Sequence, residues 1–159
     1  MHGKLITLKE ITKVCKVGEE DFTALNCINL QIESGAFMSF VGPSGSGKTT
    51  LLNLIGGLDV PTTGDIFFKH TKLSSMNRIQ MAKYRRENIG FIFQTYNLLP
   101  VYSVYENVLF PLLLNGSKEK DARERVMNIV SKVGLSDQIK KKPSQLSGGQ
   151  CQRVAIARA

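Results

Sequence analysis

Alternating apolar and polar side chains mark the clearest strand of this chain. Ile28, Leu30 and Ile32 alternate with polar neighbours, which is the period-2 pattern of a half-buried strand. Shorter apolar stretches predict further strands over residues 5–8, 36–41, 64–68 and 89–93. The stretch at 36–41 is almost entirely apolar, so it predicts a strand covered on both faces. The first half of the chain is therefore rich in predicted strands.

Helix signals dominate the second half of the chain, after one short predicted helix at 51–55 that Gly56-Gly57 would end. Ser103 and Glu106 have the spacing of a capping box, which predicts a helix start. Pro111 lies downstream and should kink or end that helix near residues 109–110.

A second amphipathic helix is predicted from Ser117, whose hydroxyl can cap its first turn. One face of it carries apolar residues at helical spacing: Ala122, Val126, Ile129, Val130 and Val133. Gly134 is placed to end it in a left-handed turn. Strands followed by helices indicate an α/β core with a helical lobe inserted or appended.

Composition fits an ordinary globular protein of one domain, with 159 residues, of which 42% are apolar and 21% charged. The longest apolar run, Val108–Leu114, falls far short of the about 20 residues that a membrane helix needs. The N-terminus lacks the apolar stretch of a secretory signal. Three widely spaced cysteines without a CxxC pair favour reduced thiols. These features predict a cytosolic protein.

The net charge of +8 suits phosphate ligands, nucleic acid or an anionic membrane surface. Dispersed, solvated lysine explains it equally well. Only Lys140–Lys142 forms a run, and three residues are too few for a binding patch. Charge alone therefore leaves the ligand open.

A glycine-rich loop follows the apolar stretch 36–41 and fits G-x-x-x-x-G-K-[ST] in full. Its residues are Gly42, Pro43, Ser44, Gly45, Ser46, Gly47, Lys48 and Thr49. The glycines let backbone amides turn around phosphate oxygens, and the following helix adds its positive N-terminal end. Lys48 can place its ammonium on the β- and γ-phosphates, while the Thr49 hydroxyl can bind Mg²⁺. A flexible Gly/Ser turn is the rival interpretation, but the strand–loop–helix setting favours nucleotide binding.

A second glycine-containing motif, Leu146-Ser147-Gly148-Gly149-Gln150, lies near the end of the chain. Ser147 and Gln150 have capping-box spacing and predict a helix start. Gly148 and Gly149 leave the first amides of that helix bare, which makes a second anion site of the same kind. The milder interpretation is an ordinary glycine-containing helix start.

Together these motifs resemble the ATP-binding subunit of an ABC transporter, whose signature sequence is similar to Leu146–Gln150. The resemblance covers almost the whole chain and includes Phe91-Ile92-Phe93-Gln94, which is similar to the family's Q-loop. The stretches 53–59 and 97–100 resemble the branch that serves lipoprotein release, macrolide export and antimicrobial-peptide export. The resemblance implies a P-loop NTPase core with an N-terminal antiparallel β-subdomain and a helical subdomain.

The resemblance also implies roles for the matched residues. ATP would be bound by residues 42–49 and by Thr50, with Lys48 and Gln94 as catalytic residues and Thr49 and Gln94 near Mg²⁺. The signature would act on ATP held by another copy, because subunits of this family pair head to tail. Gln94 alone has a milder explanation, the end of a strand.

The family pattern continues beyond the signature to a strand ending in Asp-Glu and later to a His, and neither is found here. We therefore expect a truncated nucleotide-binding domain that lacks the C-terminal part of its core. Residues 1–94 would form the β-rich and P-loop core, and residues 95–159 the helical subdomain with the signature. Without the water-orienting carboxylate, ATP hydrolysis by this chain itself is in question.

Cys15 stands where the family commonly carries an aromatic residue that stacks on adenine. A thiol cannot stack, so base binding would be weaker or would use another ring such as Phe22. The simpler interpretation is a small residue without a ligand role.

The function implied by the resemblance is coupling of ATP binding and hydrolysis to export through separate transmembrane permease subunits. The protein would be cytoplasmic and peripheral on the inner face of the membrane, with no nucleic-acid partner. One alternative is a hydrolytically inactive nucleotide-binding fragment. Another is a non-transport ABC-type ATPase acting on ribosomes or DNA, although such relatives usually carry a second nucleotide domain or a coiled-coil insertion.

Overall fold

Residues 3–159 are described by a computed structural model, and they fall into two units. The first unit runs to Arg85, and the second comprises Arg86–Ala159. The strands and the glycine-rich loop belong to the first unit, whereas the second unit is helical. Among the described residues, no helix has the length and apolar character that crossing a bilayer requires.

Four strands of the first unit form one antiparallel sheet in the order β2-β1-β3-β4. Their bounds are β1 Lys4–Val17, β2 Glu20–Glu33, β3 Thr63–Phe68 and β4 Thr71–Lys72. A tight turn joins β1 to β2, and Gly18 takes a left-handed conformation there with a φ of 67°. Because a residue without a Cβ adopts this conformation readily, the long hairpin closes without strain.

The alternating pattern of β2 is confirmed. Ile28, Leu30 and Ile32 are half-buried, and the polar residues between them are exposed. The strands predicted at 5–8 and 64–68 are also present, as parts of β1 and β3. The side-chain period identified β2, and short apolar stretches identified parts of β1 and β3.

The strands predicted at 36–41 and 89–93 are wrong, because the backbone of both segments is irregular here. Phe37 is 100% exposed and Val41 94% exposed, so the first segment is not covered on both faces as predicted. An apolar run becomes a strand only where another strand offers it ladder hydrogen bonds. Neither segment has such a neighbour within residues 3–159.

Two helices complete the first unit, α1 at Lys48–Ile55 and α2 at Arg78–Asn88, of which the last residues belong to the second unit. As predicted, α1 ends at the glycine pair, with Gly56 as its C-cap. The buried apolar side chains of α1 are Leu51, Leu54 and Ile55. The remaining buried residues of this unit come mainly from the first three strands and α2: Ile6, Leu8, Ile11, Leu25, Ile66, Leu73, Met81 and Tyr84.

Helix α3, Val104–Leu114, opens the second unit's helical core with the predicted capping box. The Glu106 amide donates to Ser103 Oγ at 3.3 Å, and Glu106 Oε2 accepts from the Ser103 amide at 2.7 Å. The sequence predicts a kink or an end near residues 109–110, and the end is wrong because the helix continues through Pro111 to Leu114. Packing against the core keeps Leu109 and Leu112 in place and compensates for the hydrogen bond that proline cannot make.

Helix α4 spans Glu119–Lys132, and its predicted cap is wrong: Lys118 is the N-cap and makes no side-chain capping bond. Its C-terminus is as predicted. Gly134 has a φ of 69°, and the Leu135 amide donates to the Val130 carbonyl at 3.0 Å. This is a Schellman ending, which carries the chain into the core through the buried Leu135.

The last helix, α5 at Gly148–Arg158, packs with α3 and α4 around one apolar core. The predicted apolar face of α4 is confirmed, since Ala122, Val126 and Val130 are fully buried. The core cluster comprises Val104, Val108, Val126, Val130, Leu135 and Val154. It fixes the start of α5, where the second glycine motif lies.

Candidate nucleotide-binding site

The glycine-rich loop leads directly into α1, which begins at Lys48. Gly47 is the N-cap residue, with a φ of 85°, and no side chain caps the helix. The first amides of an uncapped helix lack partners in the chain and are available to an anion. The backbone is therefore compatible with the phosphate site that the sequence predicts.

Gly47 also fixes the loop against the hairpin. A Cβ at this position would lie 2.6 Å from the Ala24 carbonyl oxygen and 2.8 Å from Leu25 Cδ2. Gly45 shares the left-handed conformation, with a φ of 81°, but has open space around it. Gly47 is thus required both by its backbone angle and by close packing on β2, whereas Gly45 is required by its angle alone.

Lys48 folds back over its own loop. Its Nζ donates to the carbonyl oxygens of Gly42 at 2.9 Å and Pro43 at 2.7 Å, and to Ser46 Oγ at 3.3 Å. The ammonium therefore lies at the loop, where a bound phosphate chain would need a positive charge. Thr49 is exposed in the first turn of α1, and Thr50 is half-buried.

The second motif forms the start of α5. The Gln150 amide donates to Ser147 Oγ at 3.3 Å, and Gln150 Oε1 accepts from the Ser147 amide at 2.8 Å. Ser147, Gly148 and Gly149 are exposed, whereas Leu146 is half-buried. The capping box aligns the helix, and the two glycines leave its N-terminal end open to an approaching anion.

Gln94 is exposed and lies in a turn after Phe93, in the second unit. The rings of Phe91 and Phe93 stack with their centroids 5.4 Å apart. Residues 42–50 belong to the first unit, and Gln94 and residues 146–150 belong to the second. Within each unit the predicted residues are accessible to a ligand.

Cys15 is half-buried on β1 and pairs directly with Phe22 on β2. Phe22 is 53% exposed. Two residues further along β2, Ala24 contacts Gly47 of the phosphate loop. An accessible aromatic ring is thus available on the strand that supports the loop.

Asn107 is a residue that sequence reasoning missed. It is completely buried, accepts from the Leu99 amide at 2.8 Å and donates to the carbonyls of Leu99, Tyr102 and Ser103. The signal was present, because Asn107 is the polar member of a buried i, i+3, i+4 set with Val104 and Val108. Its amide holds the segment before α3 in place.

Arg158 is the second missed residue. Its guanidinium donates to the carbonyl oxygens of Tyr96 and Asn97, close after Gln94. Partial burial lowers the pKa of Arg158 from its ordinary value, because desolvation disfavours the charged form. The side chain still donates as a cation at neutral pH. No periodic pattern in the sequence marks such a long-range contact.

Comparison with known proteins agrees with the geometry. Residues 25–159 match the family model described as ABC transporter. The chain is 45% identical over 155 residues to the Bacillus subtilis ABC transporter ATP-binding protein YvrO, covering 98% of this chain and 68% of that protein. It is 43% identical to the lipoprotein-releasing system ATP-binding protein LolD of Legionella pneumophila, covering 100% of this chain and 70% of that protein.

The macrolide export ATP-binding/permease protein MacB of Burkholderia pseudomallei is also 43% identical, and the match covers 24% of its length. Among solved structures, the dimeric ATP-binding cassette MJ0796 of Methanocaldococcus jannaschii, bound to ADP and Pi, superposes with a TM-score of 0.91. That match has 43% sequence identity and covers 97% of this chain and 68% of the cassette. The fold is that of the ABC ATPase cassette, and the chain belongs to the family of ABC transporter ATP-binding proteins.

Proposed function

We propose that this chain is the ATP-binding subunit of an ABC exporter, coupling ATP binding and hydrolysis to transport through separate membrane subunits. The observation that carries the proposal is the phosphate loop, whose uncapped helix start and inward-folded Lys48 fit a triphosphate. Relatives named for lipoprotein release and macrolide export support the export direction. The subunit would lie at the inner face of the membrane, bound to the permease subunits.

Each residue of the loop has a defined task in this proposal. Backbone N–H groups of residues 42–49, apart from Pro43 which has none, bind phosphate oxygens, and Lys48 exchanges its loop acceptors for the β- and γ-phosphates. The Thr49 hydroxyl would hold Mg²⁺, which supplies positive charge to the triphosphate. By the family resemblance alone, Gln94 would serve Mg²⁺ and the attacking water. The proposed division places residues 1–94 in the core and residues 95–159 in the helical subdomain.

The signature residues 146–150 would act on a second copy of the chain. Their exposed helix start can approach a triphosphate bound to another phosphate loop, in a head-to-tail dimer. The dimeric state of the MJ0796 cassette supports this arrangement. Two helix N-termini would then face one nucleotide from opposite sides.

Titration calorimetry with MgATP tests the proposed function. We expect the chain to bind MgATP, and Lys48→Ala to weaken binding by about 10- to 100-fold, because a hydrogen bond to a charged group contributes about 1.5–3 kcal/mol. Lys120→Ala, which removes an exposed lysine of α4, is the matched control and should leave affinity unchanged. Equal affinity of the wild type and the Lys48→Ala variant would refute the assignment.

A further inference from the structure

The segment that follows Gln94 contacts both ends of helix α5. At the N-terminal end, a Cβ on Gly148 would lie 3.2 Å from the Tyr96 hydroxyl oxygen. At the C-terminal end, the Arg158 guanidinium donates to the Tyr96 carbonyl at 2.8 Å and also to the Asn97 carbonyl. The turn after Gln94 therefore lies close to both ends of α5, the signature helix, and is hydrogen-bonded to its C-terminal end within one unit.

The turn itself needs support. Tyr96 and Asn97 are consecutive non-glycine residues in the left-handed region, with φ values of 61° and 45°. Such residues are strained and persist only where surrounding contacts fix them. Local hydrogen bonds contribute, since the Tyr96 amide donates to the Phe93 carbonyl at 3.1 Å and the Asn97 amide to the Thr95 carbonyl at 2.7 Å. Arg158 ties both of these carbonyl oxygens to helix α5.

The planar guanidinium suits this task. Its N–H groups diverge in a fixed fork, so one side chain can donate to two adjacent carbonyl oxygens at once. A lysine ammonium at the same place lacks that fixed geometry. Gly90 adds a further close approach, because a Cβ there would lie 2.7 Å from the Ala159 carbonyl oxygen. Gly90 and the turn at Tyr96 and Asn97 thus both lie close to the C-terminal end of α5.

We propose that Arg158 is a positioning residue that locks the turn after Gln94 to the signature helix, so that the two segments move as one body. The proposal deepens the proposed function, on which it rests only for the roles of Gln94 and the signature. Arg158 itself does not touch nucleotide in this arrangement. Through this contact, a nucleotide that binds residues 147–149 would change the position of Gln94. A displacement of Gln94 would in turn change the position of residues 147–149.

Hydrogen exchange measured by mass spectrometry tests this lock directly. In Arg158→Ala, we expect amides of residues 94–99 to exchange about tenfold faster or more, because charge-assisted bonds that fix the turn are lost. Amides within α3 and α4 should keep their wild-type rates. Arg153→Ala removes an exposed arginine from the same helix and is the matched control, with no expected change at 94–99.

Arg158→Lys keeps the cation and the aliphatic stem, and guards against a variant that fails to fold. It should fold and show an intermediate acceleration confined to residues 94–99. Wild-type exchange at 94–99 in both variants would overturn the proposal. Equal acceleration throughout α3 and α4, or an unfolded Arg158→Lys protein, would also overturn it, since Arg158 would then serve the core and not the turn.

Adding MgATP separates this proposal from the proposed function. If the phosphate loop binds ATP, residues 42–50 should become protected in the wild type and in Arg158→Ala alike. Ligand-induced protection of residues 94–99 should appear in the wild type and be lost in Arg158→Ala. Absence of protection at 42–50 in every variant would count against the nucleotide assignment. The exchange rates measured without nucleotide would still show whether Arg158 holds the turn after Gln94 to α5.

Discussion

Cys15 lies directly opposite Phe22 across the β1–β2 hairpin. Directly paired residues of antiparallel strands share one face of the sheet, with Cβ atoms about 4.5–5.5 Å apart. The exposed ring of Phe22 therefore adjoins the position where the family resemblance leads us to expect an aromatic residue. A nucleobase that found no ring at Cys15 would meet one beside it.

The first prediction concerns this pair. Cys15→Tyr should tighten ATP binding by about 1–3 kcal/mol if the new ring stacks on adenine. Phe22→Ala should weaken ATP binding by a similar factor if Phe22 is the ring already in use. Titration calorimetry measures both, with inorganic triphosphate as the control ligand because it has no base to stack. Unchanged affinity in Cys15→Tyr together with weaker binding in Phe22→Ala would identify Phe22 and leave Cys15 without a ligand role.

The second prediction compares two glycines of the phosphate loop. Gly45→Ala has open space and should cost only the strain of a left-handed alanine, about 1–2 kcal/mol. Gly47→Ala has the same strain and must also displace the Ala24 carbonyl. It should therefore destabilise the chain more and weaken MgATP binding more. Urea unfolding and calorimetry of both variants check this order, and equal losses would contradict the packing argument.

The third prediction concerns the buried amide of Asn107. Asn107→Ala should lower the free energy of unfolding by about 3 kcal/mol, because buried groups such as the Leu99 amide are left without a partner. Asn128→Ala, at an exposed site on α4, is the matched control and should change it by less than about 0.5 kcal/mol. Denaturant midpoints measure both. Similar midpoints for the two variants would show that the segment before α3 does not depend on Asn107.

The fourth prediction concerns the pH dependence of the α3 capping box. Hydrogen bonds from the Ser103 hydroxyl and amide lower the pKa of Glu106 from its ordinary value of 4.5. A lowered pKa in the folded state means that the carboxylate form is the stabilising one. The stabilisation is complete above pH 4.5 and is lost as the pH falls through the folded pKa.

Thermal unfolding of Glu106→Gln against the wild type checks this sign. The difference in melting temperature should be largest near neutral pH and should shrink below pH 4.5. Glu124→Gln makes the same charge change at an exposed position of α4 and corrects for net charge. A difference that grew as the pH fell would mean that the carboxylate does not stabilise the helix start.

The fifth prediction tests the head-to-tail arrangement. Lys48→Ala disables one phosphate loop, and Ser147→Arg blocks one signature, so neither variant alone should form an ATP-dependent dimer. A mixture should recover dimers, because a mixed pair retains one intact site built from the two undamaged halves. Sedimentation velocity with MgATP measures this recovery. Mixtures that behave as the sum of the separate variants would argue against composite sites.

The success of the sequence-based predictions depended on the range of the interactions involved. The capping boxes at Ser103 and Ser147 and the left-handed ending at Gly134 were correct, because each is decided within about six residues. The strands predicted at 36–41 and 89–93 failed because a strand depends on a partner elsewhere in the chain. Apolar composition indicates that a segment can form a strand, but it does not show whether a partner strand lies beside it.

The candidate site divides in the same way. Residues 42–50 and 146–150 are predicted as site residues from local motifs, and the structure places both segments at helix starts with most of their residues exposed. Arg158 is separated in sequence from Asn97 by 61 positions and from Tyr96 by 62 positions. A local sequence pattern therefore cannot reveal these contacts. Asn107 lies between these cases, since a lone amide on an apolar helix face was visible but unexplained.

Oxygen atoms of the phosphate loop compete with ATP for the ammonium group of Lys48. The ammonium is already held by two carbonyls and a hydroxyl, so an arriving triphosphate must displace a tethered ligand that never diffuses away. The affinity for ATP then reflects the difference in free energy between the contacts of Lys48 with the triphosphate and its contacts with the loop. Breaking the loop contacts reduces the net gain from binding. These neutral acceptors solvate the ammonium without cancelling its charge, so Lys48 can still attract a triphosphate while its contacts are exchanged.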